Sequence, residues 1–317
     1  MYVQKGIKVI RLTPIDTIFI FSFIVFLWFT LRWYFPAPVT FWYVTAKNQT
    51  SPLNQGLNLE SKLALLKKCS LVVTACTRNV GHNLPEFRKK IENIASLFED
   101  YHIFIGESDS SDETLLLLRR WSEKTDRVTI KTYGNLSHTI RRRSERIAYC
   151  RNTILDEARN HHLFRSSNKA FYMAVDADIN NRLDQSSFLS NFDYSTDDWG
   201  AMTASQYAGY YDIWALRTDV VNYDCWQMAK NVLVILATLN LAVERFISIH
   251  QKPIPSNHSL IPVYSAFGGA AIYQIRYLDK CRYSGYQSHE ICEHVPFNLC
   301  VTRNRGRTFI NPKFQID

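Results

Sequence analysis

The 317-residue chain predicts an α/β fold, a doubly wound and mostly parallel sheet preceded by one N-terminal membrane helix. Three observations predict it. Short β-branched apolar runs alternate with helix-period segments between residues 70 and 175. Polar side chains gather just beyond the ends of those runs, where open α/β sheets bind their ligands. A charge-free apolar stretch near the start is preceded by basic residues. Composition agrees: 46% hydrophobic and 21% charged residues suit a packed domain and exclude extended disorder. The net charge of +8 owes +3 to Lys5, Lys8, Arg11, Arg32 and Asp16. What remains is compatible with an anionic small molecule and too weak for a nucleic-acid partner.

Residues 15–35 hold the apolar stretch, TIFIFSFIVFLWFTL and its aromatic border, with Arg32 placed to snorkel. That length suits a thin bilayer. Lys5, Lys8 and Arg11 precede it, and the small-x-small pattern of a cleavage site does not follow, so a signal anchor is expected rather than a removed signal peptide. The expected organisation is a cytosolic tail over 1–14, the anchor over 15–35, a stem over 36–66 and a lumenal domain over 67–317. Sequons at Asn48, Asn135 and Asn257 agree with a lumenal side and are the expected glycosylation sites. All seven cysteines lie beyond the anchor, without a CxxC; Cys281, Cys292 and Cys300 are expected to include a disulfide, though spacing does not fix the pairing. A second apolar stretch, Val232 to Val243, is too short to span and reads as a buried or amphipathic helix.

Beyond the stem, Ser70–Thr74 reads as a buried parallel strand, and Pro85 opens a helix with Phe87, Ile91, Ile94 and Phe98 on one face. Tyr101–Ile105 is a second strand, followed by a helix capped by Ser111 or Asp112 and running through Trp121. Val128–Thr132 is a third strand, a long helix covers about Thr139 to Arg159, and Phe171–Val175 is a fourth strand. Arg78 and Asn79, then Asp109, then Asp176 and Asp178 fall at successive strand ends. No glycine-rich dinucleotide or P-loop motif is present.

Asp176 and Asp178, two residues apart past a strand, suit Mn²⁺ or Mg²⁺ with sites left open for phosphate oxygens. The alternative is a pair of loop-capping aspartates. On the long helix, Ile140, Ile147, Ile154 and Ala158 form one stripe, flanked by Arg143 and Arg151, while Arg141 and Arg142 point away. Arginines beside a buried face match a diphosphate, or else snorkel or pair with neighbouring carboxylates. Residues 209–217 gather aromatics with Asp212, as a sugar site or an edge strand would. Gly268 and Gly269 permit close backbone approach to a ligand or mark a bulge. Glu293 and His294 offer a base or a metal ligand, or are structural.

The ordered strings VVTACTRN, IFIGESDSSDET, RRRSERIAYCRN, FYMAVDADIN, YYDIWALR, FGGAAIYQIRYL and CEHVPFN resemble glycosyltransferase family 69, the fungal capsule-associated α-1,3-mannosyltransferases and relatives, over roughly residues 69–300. The resemblance implies a GT-A type fold and a type II membrane protein of the Golgi or endoplasmic reticulum. It implies transfer of a sugar, mannose among the candidates, from GDP-mannose or a UDP-sugar to a glycan or glycoconjugate. It places Asp176 and Asp178 on Mn²⁺ with His294 as a third ligand. Arg78, Asn79 and Asp109 fall at the nucleotide, and Arg143, Arg146 and Arg151 beside the diphosphate. Asp212 or Glu293 is expected to act at the acceptor hydroxyl or at the oxocarbenium-like centre. The rival reading is a catalytically inactive, membrane-anchored lectin-like protein, which would leave the aspartate pair and the arginines unused.

Overall fold

The computed structural model describes residues 13–34, 42–43, 57–165, 169–178, 183–231 and 239–316. Eleven helices lie among them: α1 (Pro14–Tyr34), α2 (Leu59–Leu66), α3 (Leu84–Ala95), α4 (Thr114–Ser122), α5 (Leu136–Thr139), α6 (Arg143–Asn160), α7 (His162–Arg165), α8 (Gln185–Leu189), α9 (Cys225–Asn231), α10 (Leu239–Phe246) and α11 (His294–Arg303). The strands are β1 (Ser70–Thr77), β2 (Asp100–Glu107), β3 (Val128–Thr132), β4 (Ala170–Val175), β5 (Ala201–Ser205), β6 (Ile261–Val263), β7 (Ala270–Gln274) and β8 (Thr308–Gln315). They form one sheet in the order β3-β2-β1-β4-β7-β5-β8-β6.

The first half is the expected parallel wind, with β1 pairing in parallel with both β2 and β4, and β2 with β3. The second half departs from it. β7 runs antiparallel to both β4 and β5, and β6 antiparallel to β8, so the sheet is mixed rather than mostly parallel. The reason is local: β7 starts at the turn over Gly268 and Gly269, beside the end of β4, and can only run back along it.

Both faces of the sheet are covered, which is why its central strands are apolar without alternation. Leu71, Val73 and Ala75 of β1 pack with Phe87 and Ile91 of α3 and Leu118 and Trp121 of α4. Val72, one residue out of phase, packs on the other face with Ala148, Ile154, Leu155 and Ala158 of α6 and Phe297 of α11. A third cluster joins Tyr210, Ile213 and Leu216 to Ile247 and Ile254. Trp42 is buried in it, its Nε1 donating to the His250 carbonyl at 3.0 Å. Of the expected stem, then, Trp42 and Tyr43 dock on the domain and α2 is part of it: Leu66 is fully buried, and Lys62 pairs with Asp193.

The long helix begins at Arg143, not Thr139, because Ile140 is extended between α5 and α6. Its buried stripe is Ser144, Ala148, Arg151, Leu155 and Ala158 with Cys150 and Ile154 beside it, so Ile147 is half-buried and the expected phase was turned slightly. Disulfides join Cys76 to Cys150 and Cys281 to Cys300, while Cys69, Cys225 and Cys292 are buried thiols. Of the second apolar stretch, 232–238 lies outside the described residues and the rest begins α10. α1 exposes Ile18, Phe19, Phe21, Phe23 and Ile24 around its surface. Side chains are described there only as far as Thr30, and among the described residues no helix is long and apolar enough to cross a membrane.

Candidate active site

The carboxyl ends of β1, β2 and β4 open on one cleft of about 400 Å³. Arg78, Asp109, Arg143, Arg146, Arg151, Asp176, Asp178, Asp212, Glu293 and His294 all line it, residues drawn from positions 78 to 294. Asn79 does not. It sits at φ 51°, and its Oδ1 accepts from the Ser111 N–H at 2.8 Å, which clamps the loop after β2.

The floor is an ion triad. Arg151, 4% exposed, donates from Nη2 to Asp176 Oδ1 at 2.7 Å and from Nε to Glu293 Oε1 at 3.0 Å. The rings of Phe267 and Tyr283 lie 5.1 and 5.8 Å from its guanidinium carbon. Burial works against its charge, but the two carboxylates outweigh it and hold the guanidinium protonated. Arg151 is thus held by two carboxylates, with only its Nη1 left without a partner. Glu293 is spent in the same way, as Arg151's second counterion. Desolvation pushes Asp176 up to about 6; Arg151 opposes the shift and Asp178 adds to it.

The rim is different. Arg143 and Asp178 are exposed and have no hydrogen-bond or ion-pair partner among the described residues, and Arg78 is exposed without a hydrogen bond. Arg146 lines the cleft but donates to the carbonyls of Ile140 and Arg141 at 2.9 and 2.7 Å, shaping the turn that presents Arg143. Asp109, at φ 58°, accepts from the Ser137 N–H and hydroxyl at 2.9 and 2.6 Å. Desolvation tends to raise its pKa, but these bonds and Arg78 bring it below the ordinary value.

Gly268 and Gly269 knit the back wall. Their φ values are 67° and 95°, and a Cβ on Gly268 would lie 2.5 Å from the Ala204 carbonyl. The Gly268 N–H donates to Asp212 Oδ2 at 3.0 Å, and the Gly269 carbonyl accepts from the Asp176 N–H at 2.8 Å. Desolvation raises the Asp212 pKa, with the Gly268 and Ala215 N–H groups pulling it back. The glycine pair therefore serves the site by positioning two carboxylates.

Asp178 and the Asp176 oxygen that Arg151 does not engage are hard oxygen donors of the kind that Mn²⁺ or Mg²⁺ takes. His294 does not complete a set of three. No group of three or more His, Cys, Asp or Glu side chains among the described residues is placed to hold a metal ion. Its ring is buried and stacks on Phe267 at 3.6 Å, and neither ring nitrogen has a hydrogen-bond partner. Burial, and then Arg151, keep it neutral. The sequence reading missed the Cys76–Cys150 disulfide in the cleft wall and the role of Asp224, which accepts from Trp214 Nε1 at 2.8 Å. Neither pairing has a local sequence signal.

No family model and no curated protein matches the chain. Its likeness is to solved structures. S. aureus TarS 1–349 is 11% identical, over 76% of this chain and 57% of that one, at a TM-score of 0.43. The mannosyltransferase PcManGT from Pyrobaculum calidifontis, solved with GDP-Man and Mn²⁺, is 12% identical over 92% and 63%, at 0.42. Glucosyl-3-phosphoglycerate synthase from Mycobacterium tuberculosis, solved with Mn²⁺, UDP-glucose and phosphoglyceric acid, is 8% identical over 83% and 74%, at 0.42. The chain therefore spans less than two thirds of the length of the first two.

Proposed function

We propose that the protein is a glycosyltransferase that moves a sugar from a nucleoside diphosphate donor to a glycan or glycoconjugate, in the manner of family 69. One observation carries the reading: a single cleft, open at the carboxyl ends of parallel strands, gathers Arg143, which has no partner among the described residues, and Arg78, which has no hydrogen bond, with Asp178, Asp176 and Asp212. The arginines match a diphosphate in charge and geometry. Asp178 and Asp176 would hold Mn²⁺ or Mg²⁺, which supplies Lewis-acid stabilisation of the diphosphate when bound. In the transfer, the bond from the sugar's anomeric carbon to the diphosphate oxygen breaks, and one from that carbon to the acceptor oxygen forms. Arg78 and Arg143 stabilise the negative charge gathering on the leaving diphosphate. Asp212 takes the acceptor's hydroxyl proton, burial having raised its pKa and with it its basicity. Glu293 acts through Arg151, not on substrate.

The same proposal places α1 in the Golgi or endoplasmic reticulum membrane as a single-pass type II anchor, with the domain lumenal. Its exposed apolar side chains, the two disulfides and the exposed Asn135 and Asn257 support this; Asn48 lies outside the described residues. The test is a screen of the full chain, with Mn²⁺, against GDP- and UDP-sugars. Nucleotide release from one donor that rises with added acceptor glycan supports transfer. Saturable sugar binding without turnover contradicts it.

A further inference from the structure

A second cavity, of about 210 Å³, adjoins the cleft and shares two of its walls, Arg143 and Trp214. Ser144, Trp226, Gln227, Lys230 and Glu290 complete it. Its walls are fixed by hydrogen bonds. Asp224, 9% exposed, accepts from Trp214 Nε1 at 2.8 Å through Oδ2 and from the Gln227 N–H at 2.9 Å through Oδ1. One buried carboxylate thereby locks the Trp214 ring relative to the first turn of α9. Glu290 is held from the third side, accepting from Ser144 Oγ at 2.8 Å.

The groups left over point to a ligand. Trp226 is 41% exposed, and its indole N–H has no hydrogen-bond partner among the described residues. The Lys230 ammonium is likewise unpartnered there. Two tryptophans with an ammonium, an amide and a carboxylate, in a space of about seven waters, suit one hydroxyl-rich ring: the apolar ring face stacks on indole while the polar groups meet its hydroxyls. Of the three charged groups on its walls, Arg143 is assigned to the donor diphosphate, and Lys230 and Glu290 then balance, which favours a neutral sugar.

We infer that this cavity is the acceptor subsite, taking a neutral hexopyranose unit of the acceptor glycan, with Trp226 as its stacking platform. The inference rests on the glycosyltransferase reading of the adjoining cleft. Arg143 and Trp214 form the common wall, so a ring seated here lies next to the donor cleft that holds Asp212.

The test uses the full chain in a detergent without a sugar headgroup. Methyl α- and β-pyranosides of mannose, glucose and galactose serve as probes in saturation-transfer NMR, with and without Mn²⁺ and GDP or UDP. At least one methyl hexoside should bind with a millimolar dissociation constant. Trp226→Ala should weaken it about threefold to tenfold, and Lys230→Ala less, with nucleotide affinity unchanged in both. If no methyl hexoside binds up to about 50 mM, well above that millimolar range, or if Trp226→Ala binds as the wild type does, the inference is overturned. Failure of both nucleotides to bind the wild type would strike the donor reading instead, and the hexoside titration still reports on the subsite.

Discussion

Arg143 and Arg151 stand two turns apart on one helix and line one cleft, yet their surroundings give them opposite work. Arg151 sits on the buried stripe, where an unpaired charge would be costly, and two carboxylates converge on it. Arg143 sits at the helix's first turn, exposed and without a partner among the described residues. The floor of the cleft is thus a paired electrostatic network in which only the Arg151 Nη1 is left without a partner, whereas the rim keeps its charge available. A residue's presence in a cleft says little about its role until its partners are counted.

The contrast breaks most visibly at the carboxylates. Asp178→Asn, on the rim, should keep the fold and lower turnover by a few orders of magnitude, because it removes charge that a hard cation needs. Asp176→Asn should lose turnover and stability together, since it also leaves Arg151 half-paired. Thermal unfolding beside steady-state rates separates the two.

Next in size is Arg151→Ala, which strands Asp176 and Glu293 and should cost about 3–5 kcal/mol of stability in denaturant unfolding. A variant as stable as the wild type would mean the floor is not a network.

A control lies far from the cleft, where His102 packs against His161 at 4.4 Å between ring centroids and its Nε2 meets Thr129 Oγ1 at 2.8 Å. Burial, with His161 adding to it, pulls His102 from 6.5 to about 4. Between those values the unfolded chain binds a proton that the fold does not, so stability is lost as pH falls from 6.5 to 4, by at most about 3 kcal/mol. His102→Gln should flatten that slope in melting curves, and Arg143→Ala should leave it unchanged.

How far the sequence revealed this division can be seen residue by residue. The parallel half of the sheet was legible, because doubly covered strands are apolar runs and β1 and β4 read as such. The antiparallel return of β7 was not, since nothing in AAIYQ encodes direction; the glycines before it do, through conformations only visible in the fold. The charged residues of the cleft and His294 were legible as strand-end or motif polar groups, except Arg146, known only by resemblance. Their partners were not. Arg151's carboxylates lie 25 and 142 residues away, distances at which spacing carries no information. The same holds for Asn79, whose partner Ser111 faces it across two loops.

The smallest of these effects, and the most direct reading of the central claim, is nucleotide binding by the rim. In calorimetric titrations of the full chain with GDP and with UDP, in Mn²⁺, one nucleotide should bind. Arg143→Ala should weaken it roughly ten- to a hundredfold, the loss of one charge-assisted contact, while Arg141→Ala changes little. Excess chelator should abolish the difference by abolishing binding. If both nucleotides bind equally well in chelator, or Arg143→Ala binds as tightly as the wild type, the cleft is not the diphosphate site described here.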